Sequence, residues 1–131
     1  MKVVVFEDSS PVREAMVSWL TRNGHEVIDF ASPAHYKACT CGRSPSGRCM
    51  GACADAILSD IRMPRVNGLD FITDLKESGC NVPRLALMSG YWTNDSIKRV
   101  REMGIKTFEK PCEISEILEW LDAPVVEAIV N

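Results

Sequence analysis

The chain alternates short apolar runs with segments of helical period, and most of the runs stop at a polar or charged residue. Val3–Phe6 is an unbroken β-branched and aromatic run, which suits a strand covered on both faces rather than one. Val27–Phe30, Ala56–Ser59, Leu85–Met88 and Ile105–Phe108 repeat the pattern. Between them, apolar residues recur every three or four positions. Val12, Ala15, Met16, Trp19 and Leu20 make one helical face, entered through Ser9-Ser10-Pro11 and stopped by Asn23-Gly24. Ser32-Pro33 opens a second, short helix. Leu69, Ile72 and Leu75 follow the loop signal Asn67-Gly68, Ile97, Val100 and Met103 mark Asn94–Met103, and Ile114, Ile117, Leu118 and Leu121 precede Pro124. Five strands alternating with five helices through short connections require a parallel sheet with helices on both faces. The expected fold is a three-layer α/β/α sandwich whose five-stranded parallel sheet has the flavodoxin-like order 2-1-3-4-5. Its 131 residues are read as one domain, 1–131, with Val125–Asn131 as an apolar tail.

Composition excludes several alternatives. A net charge of −3 gives no bulk electrostatic reason to expect nucleic-acid or anionic-membrane binding. No run approaches the roughly 18 apolar residues of a membrane span. The N-terminus reaches Glu7-Asp8 after Val3–Phe6, too short an apolar region for a secretory signal. A cytoplasmic protein with no nucleic-acid or membrane partner is the expectation. In that reducing setting the six cysteines read as metal ligands or free thiols rather than disulfides.

In open α/β sheets ligands bind outside the carboxyl ends of the strands, so the residues ending each strand carry the functional question. They are Glu7-Asp8, Asp60, Ser89-Gly90 and Glu109-Lys110-Pro111. Three carboxylates, a hydroxyl and an ammonium would converge on one crevice. Each pair of carboxylates about 4 Å apart costs on the order of 4 kcal/mol at an effective dielectric near 20. A divalent cation relieves that repulsion, and an all-oxygen donor set suits Mg²⁺. Phosphoryl transfer needs little beyond such positioning and charge neutralisation.

Glu7-Asp8, Asp60 with Met63-Pro64 and Asn67-Gly68 behind it, Ser89-Gly90 and Lys110-Pro111 together resemble the receiver domain of two-component response regulators. The resemblance runs from about Lys2 to Leu121, apart from the cysteine-rich segment. It implies that Asp60 accepts a phosphoryl group from a partner histidine kinase or phosphotransfer protein. Asp8, Asp60 and the Arg62 carbonyl would hold Mg²⁺, with Glu7 acting through a bound water. Ser89 would bond the phosphoryl group, Lys110 would pair with it, and Lys110-Pro111 would be a cis peptide. Phe108 matches an aromatic whose rotamer reports phosphorylation to the face made by the fourth helix, fifth strand and fifth helix, where an unidentified downstream protein would bind. Such a domain is a signalling switch that catalyses only its own phosphorylation and dephosphorylation. With no effector after the fifth helix, output is expected through protein contacts. Glu7-Asp8 stands where Asp-Asp is commoner, and Gly90 where alanine is usual.

The large departure is a cysteine-rich insertion, residues 39–53, between the second helix and third strand. Cys39, Cys41, Cys49 and Cys53 flank Gly42–Arg48. Tetrahedral Cys₄ zinc is the leading expectation, with an iron–sulfur cluster or unligated thiols as alternatives. The spacing is Cys-x-Cys with Cys-x₃-Cys rather than the common two-residue knuckle. The alternative function is accordingly a metal- or redox-responsive interaction module on a receiver scaffold. His25 and His35 read as solvated, and Cys80 and Cys112 as incidental, although the start of a helix can lower the pKa of a thiol such as Cys112. Tyr91 and Trp92 follow Ser89 and are candidates to gate its crevice, and Lys98, Arg99 and Arg101 read as a solvated helix face.

Overall fold

The structure, a computed structural model, describes residues 1–33 and 54–124. The cysteine set Cys39, Cys41, Cys49 and Cys53, His35, the second predicted helix and the tail Val125–Asn131 lie outside the described residues. Five parallel strands form the central sheet: β1 (Lys2–Phe6), β2 (Glu26–Phe30), β3 (Ala56–Asp60), β6 (Arg84–Ser89) and β7 (Lys106–Glu109). Their order is β2-β1-β3-β6-β7, which is the expected 2-1-3-4-5. Four described helices cover it: α1 (Ser10–Arg22), α2 (Gly68–Glu77), α3 (Asn94–Met103) and α4 (Ile114–Asp122). The short pair β4 (Arg62–Met63) and β5 (Val66–Asn67) forms an antiparallel hairpin directly behind Asp60.

The unbroken apolar runs have a direct explanation in the register. Val3 pairs with Ala56 and Val4 with Ile57, so neighbouring side chains point to opposite faces and both faces are dry. Val4, Phe6, Ile57, Leu85 and Leu87 pack under α2 and α3 with Leu69, Ile72, Leu75 and Val100. Val3, Val5, Leu58, Ala86, Met88 and Phe108 pack under α1 and α4 with Met16, Leu20, Ile117 and Leu121. A strand buried on one face only would have alternated polar with apolar residues, and none of β1, β3 or β6 does.

The helix faces match expectation unevenly. Leu69, Ile72 and Leu75 are all buried, but of the α1 face only Met16 and Leu20 are. Val12 and Trp19 remain 41% and 48% exposed, opening onto a groove of about 680 Å³ between α1 and α4. The helix touches the sheet along a stripe one residue wide on each turn, and the outer apolar positions fall beside it. On α3 only Val100 of the three periodic residues is buried.

The junction of β5 with α2 brings the chain close to Asp60. Asn67 caps α2, its Oδ1 accepting from the backbone N–H of Leu69 at 2.9 Å and of Asp70 at 3.2 Å. A methyl group on Gly68 would lie 1.9 Å from the Asp60 carbonyl oxygen, an approach only glycine permits. Asn67→Ala is expected to lower unfolding free energy by about 1 kcal/mol through the lost cap. Gly68→Ala should cost about 3 kcal/mol, the upper part of the overpacking range, because the obstacle is backbone. Urea titration checks both; a Gly68→Ala protein as stable as wild type would refute the close approach.

Candidate functional site

Each strand end is tied to the next by backbone before any side chain is considered. The Glu7 N–H donates to the Phe30 carbonyl at 3.0 Å, the Ile61 N–H to Met88 at 3.0 Å and the Lys110 N–H to Ser89 at 2.9 Å. These bonds bring the carboxyl ends of the five strands into register at one edge of the sheet. Glu7, Asp8 and Asp60 are thereby gathered, each offering a carboxylate oxygen within 4.8 Å of the others. Glu7, Asp60 and Ser89 are buried, while Asp8 is exposed.

Lys110 reaches into this cluster across the peptide Lys110–Pro111, which is cis. Its ammonium donates to Glu7 Oε2 at 2.6 Å and to Asp60 Oδ2 at 3.0 Å. Burial raises the Glu7 pKa above the ordinary carboxylate value, helped by the neighbouring Asp60 and opposed by the bonds from Lys110 and the Ser9 N–H. For Lys110, burial alone would lower the pKa, but the hydrogen bonds and charges of Glu7 and Asp60 outweigh it and raise the pKa. The ammonium therefore stays charged at neutral pH. Three acids against one cation leave the crevice electronegative, and the donor set is oxygen only. Glu7, Asp8 and Asp60 thus fit a hard divalent cation such as Mg²⁺.

The Ser89 hydroxyl donates to the Tyr91 carbonyl at 2.8 Å and accepts from the Tyr91 N–H at 3.1 Å, so it is engaged with its own loop. Arg62 lies on β4, two residues beyond Asp60, with its guanidinium 4.9 Å from the centre of the Tyr91 ring. Tyr91 is exposed and Trp92 half-buried against the α2/α3 core. A methyl group on Gly90 would meet Lys110 at 3.8 Å or more, ordinary contact, so the glycine there is not forced by space. Phe108, expected to swing between rotamers, is a buried core residue on the α1/α4 side. Its ring packs edge-to-face on Trp120 at 5.7 Å with the Lys106 ammonium 5.5 Å from its centre. Cys112 departs from the suggestion of an activated thiol: burial pushes its pKa up. His25 lies 3.3 Å from the N-terminal amine.

Sequence reasoning missed three contributors. The buried Ser59 hydroxyl donates to the Asp60 carbonyl at 2.9 Å, bracing the backbone of the central acid. The β4–β5 hairpin turns through Arg65 with a positive φ of 67°, a conformation that a Gly or Asn would have advertised and Arg does not. Arg13 donates to the Glu7 carbonyl, a contact between a helix residue and a strand end that no spacing rule encodes.

Among the described residues no helix is long and apolar enough to cross a membrane. The response regulator receiver domain family matches residues 3–122. Response regulator MprA of Mycobacterium avium is 26% identical over 123 residues, covering 94% of this chain and 50% of that protein. A probable transcriptional regulatory protein of Picosynechococcus is 26% identical over 117 residues, 89% of this chain and 46% of that protein. The chain thus spans about half the length of the curated relatives it matches. A response regulator receiver protein from Pseudomonas putida superposes with a TM-score of 0.72 at 21% identity, covering 92% of this chain and 94% of that one. The chemotaxis protein CheY4 of Vibrio cholerae gives 0.67 at 21% identity, with the same coverage. These two share the fold. Since the family match covers nearly the whole chain and every strand-end residue of the crevice, the chain belongs to the response regulator receiver domain family, the signalling domain of two-component systems.

Proposed function

We propose that Asp60 is the phospho-accepting residue, taking its phosphoryl group from a histidine kinase or phosphotransfer protein. One observation carries this reading: the Asp60 carboxylate shares the Lys110 ammonium with Glu7, and Glu7, Asp8 and Asp60 each offer a carboxylate oxygen within 4.8 Å of the others. An Asp60 oxygen attacks the phosphorus of a phosphohistidine. The N–P bond breaks, its electron pair stays on the imidazole nitrogen, and the acyl phosphate O–P bond forms. Lys110 pairs with the transferred group, and water later hydrolyses the acyl phosphate. Bound Mg²⁺, held by Asp8, Asp60 and the Arg62 carbonyl with Glu7 through a water, would neutralise phosphoryl charge.

Ser89 supplies the conformational step. Bonding the phosphoryl group requires its hydroxyl to leave the Tyr91 carbonyl, which frees the loop from Gly90 to Thr93 that leads into α3. Phe108 passes the change to α4 through its contact with Trp120, so the face of α3, β7 and α4 shifts in population toward a partner-binding form. In sequence, residues 39–53 lie between β2 and β3. An accessory Cys39/Cys41/Cys49/Cys53 zinc clip is carried by the cysteine spacing alone.

Asp60→Ala should abolish phosphoryl uptake from a small phosphodonor such as acetyl phosphate, read by intact mass. Undiminished labelling of the variant would sink the assignment. Mg²⁺ at a hundredfold excess over its Kd should stabilise the wild type by about 2.7 kcal/mol, a rise in Tm on the order of 10 °C for a domain of this size. In Asp60→Asn that shift should shrink by more than half, while the metal-free Tm rises as carboxylate repulsion is relieved. An equal shift in both proteins would place the cation elsewhere.

A further inference from the structure

Arg13, in the first turn of α1, is largely shielded, with 18% of its side chain exposed. All three guanidinium nitrogens are used. Nη1 donates to the Glu7 carbonyl oxygen at 2.8 Å, Nε to Asp29 Oδ2 at 3.2 Å and Nη2 to the Ser10 hydroxyl at 3.4 Å. One planar group therefore joins the residue after β1, the end of β2 and the start of α1. As an ion pair with Asp29 alone it would contribute about 0–1 kcal/mol, which does not account for a guanidinium turned onto a main-chain oxygen.

The contact acts on Asp8 because of peptide geometry. The Glu7 carbonyl oxygen, the Asp8 nitrogen and the Asp8 Cα share one plane. The Glu7 N–H is already fixed by Phe30 at 3.0 Å, so pinning its carbonyl oxygen sets where Asp8 begins. The Glu7 carboxylate is held separately, by Lys110 and by the Ser9 N–H at 3.2 Å. Asp8 is the exposed member of the acidic group, and its aim depends on the backbone behind it.

We propose that Arg13 is a positioning residue that aims the Asp8 carboxylate into the cation site, with Asp29 holding the guanidinium in plane. This rests on reading Glu7, Asp8 and Asp60 as a divalent-cation site. Arg13 itself touches neither the cation nor the phosphoryl group. Removing a group that orients a metal ligand typically weakens metal binding 10–100-fold. Lysine does not substitute, because an ammonium lacks the fork that reaches a carbonyl and a carboxylate together. Electrostatics and positioning here predict opposite signs: deleting a cation next to Glu7 would by Coulomb's law tighten Mg²⁺ binding, whereas loss of aim weakens it.

Calorimetric titration of MgCl₂ into the metal-free wild type, Arg13→Ala, Arg13→Lys and Asp29→Asn separates the two, with the metal-free Tm of each measured alongside. The expected result is a Kd about tenfold weaker in both Arg13 variants and about threefold weaker in Asp29→Asn. The Asp8 amide resonance should move in Arg13→Lys before any metal is added. Phosphoryl uptake from acetyl phosphate should recover in the variants at saturating Mg²⁺. A Kd within twofold of wild type, or a tighter one, overturns the proposal whatever happens to Tm. If Arg13→Ala does not fold, Arg13→Lys and Asp29→Asn decide by the same criterion. A wild-type chain that binds no Mg²⁺ overturns the cation-site reading itself.

Discussion

One ammonium shared by two carboxylates organises the molecule. Lys110 sits after the last strand, Glu7 after the first and Asp60 at the end of the central one, yet a single Nζ lies 2.6 and 3.0 Å from the two acids. Glu7 and Asp60 keep 1% and 8% of their side chains exposed, too little for water to screen their repulsion. Two such charges about 4 Å apart would oppose folding by roughly 4 kcal/mol at an effective dielectric near 20. The shared cation offsets that for Glu7 and Asp60 only. The contact is possible because the parallel register puts every strand's carboxyl end at the same edge, so sheet topology and site electrostatics are one constraint.

The two dry faces of the sheet explain why that edge is stable enough to carry unbalanced charge. Leu58 and Ile57 are neighbours in β3 and lie in separate cores. Asp60 continues the same strand, and its backbone is held by Ser59 and by the tight entry of Gly68. The central acid is therefore fixed by main-chain packing, and its carboxylate is the part left to chemistry. Ser89 is fixed in the same way at the end of β6, but its hydroxyl is committed to Tyr91. Any new acceptor for that hydroxyl competes with the Tyr91 bond.

The sheet was legible because burial on both faces leaves a signal that survives without neighbours: a run of β-branched and aromatic residues with a polar stop. Asn94–Met103 as a helix, and Leu69, Ile72 and Leu75 as a buried face, followed from period alone. The acidic cluster was legible because the strand stops Glu7, Asp8 and Asp60 gather at one edge of the sheet. What period could not supply was relative placement. Trp19 and Val12 share the apolar face of α1 with Leu20, but their burial depends on how far α4 stands from α1. Phe108 matches a motif position, but the side of the sheet it faces is set by β-strand parity, and parity puts it with Met88 and Trp120. Arg13 reads as one more polar residue on a helix until α1 is laid against the ends of β1 and β2.

The acidic cluster is built so that it is only partly compensated by the protein. Burial holds the Glu7 carboxyl above its ordinary pKa even with an ammonium 2.6 Å away, so the residues around it offset its desolvation only in part. A group with such a pKa gains free energy from any further cation that reaches it, and the gain is largest where desolvation is greatest. Asp8 stands at the solvent edge, exposed, where its aim is set by the backbone behind it. The site therefore divides its labour by depth. On the proposed reading of this cluster as a cation site, the buried acid supplies the field and the exposed acid supplies access, and the backbone contacts that orient the exposed one set how much of that field a cation can use.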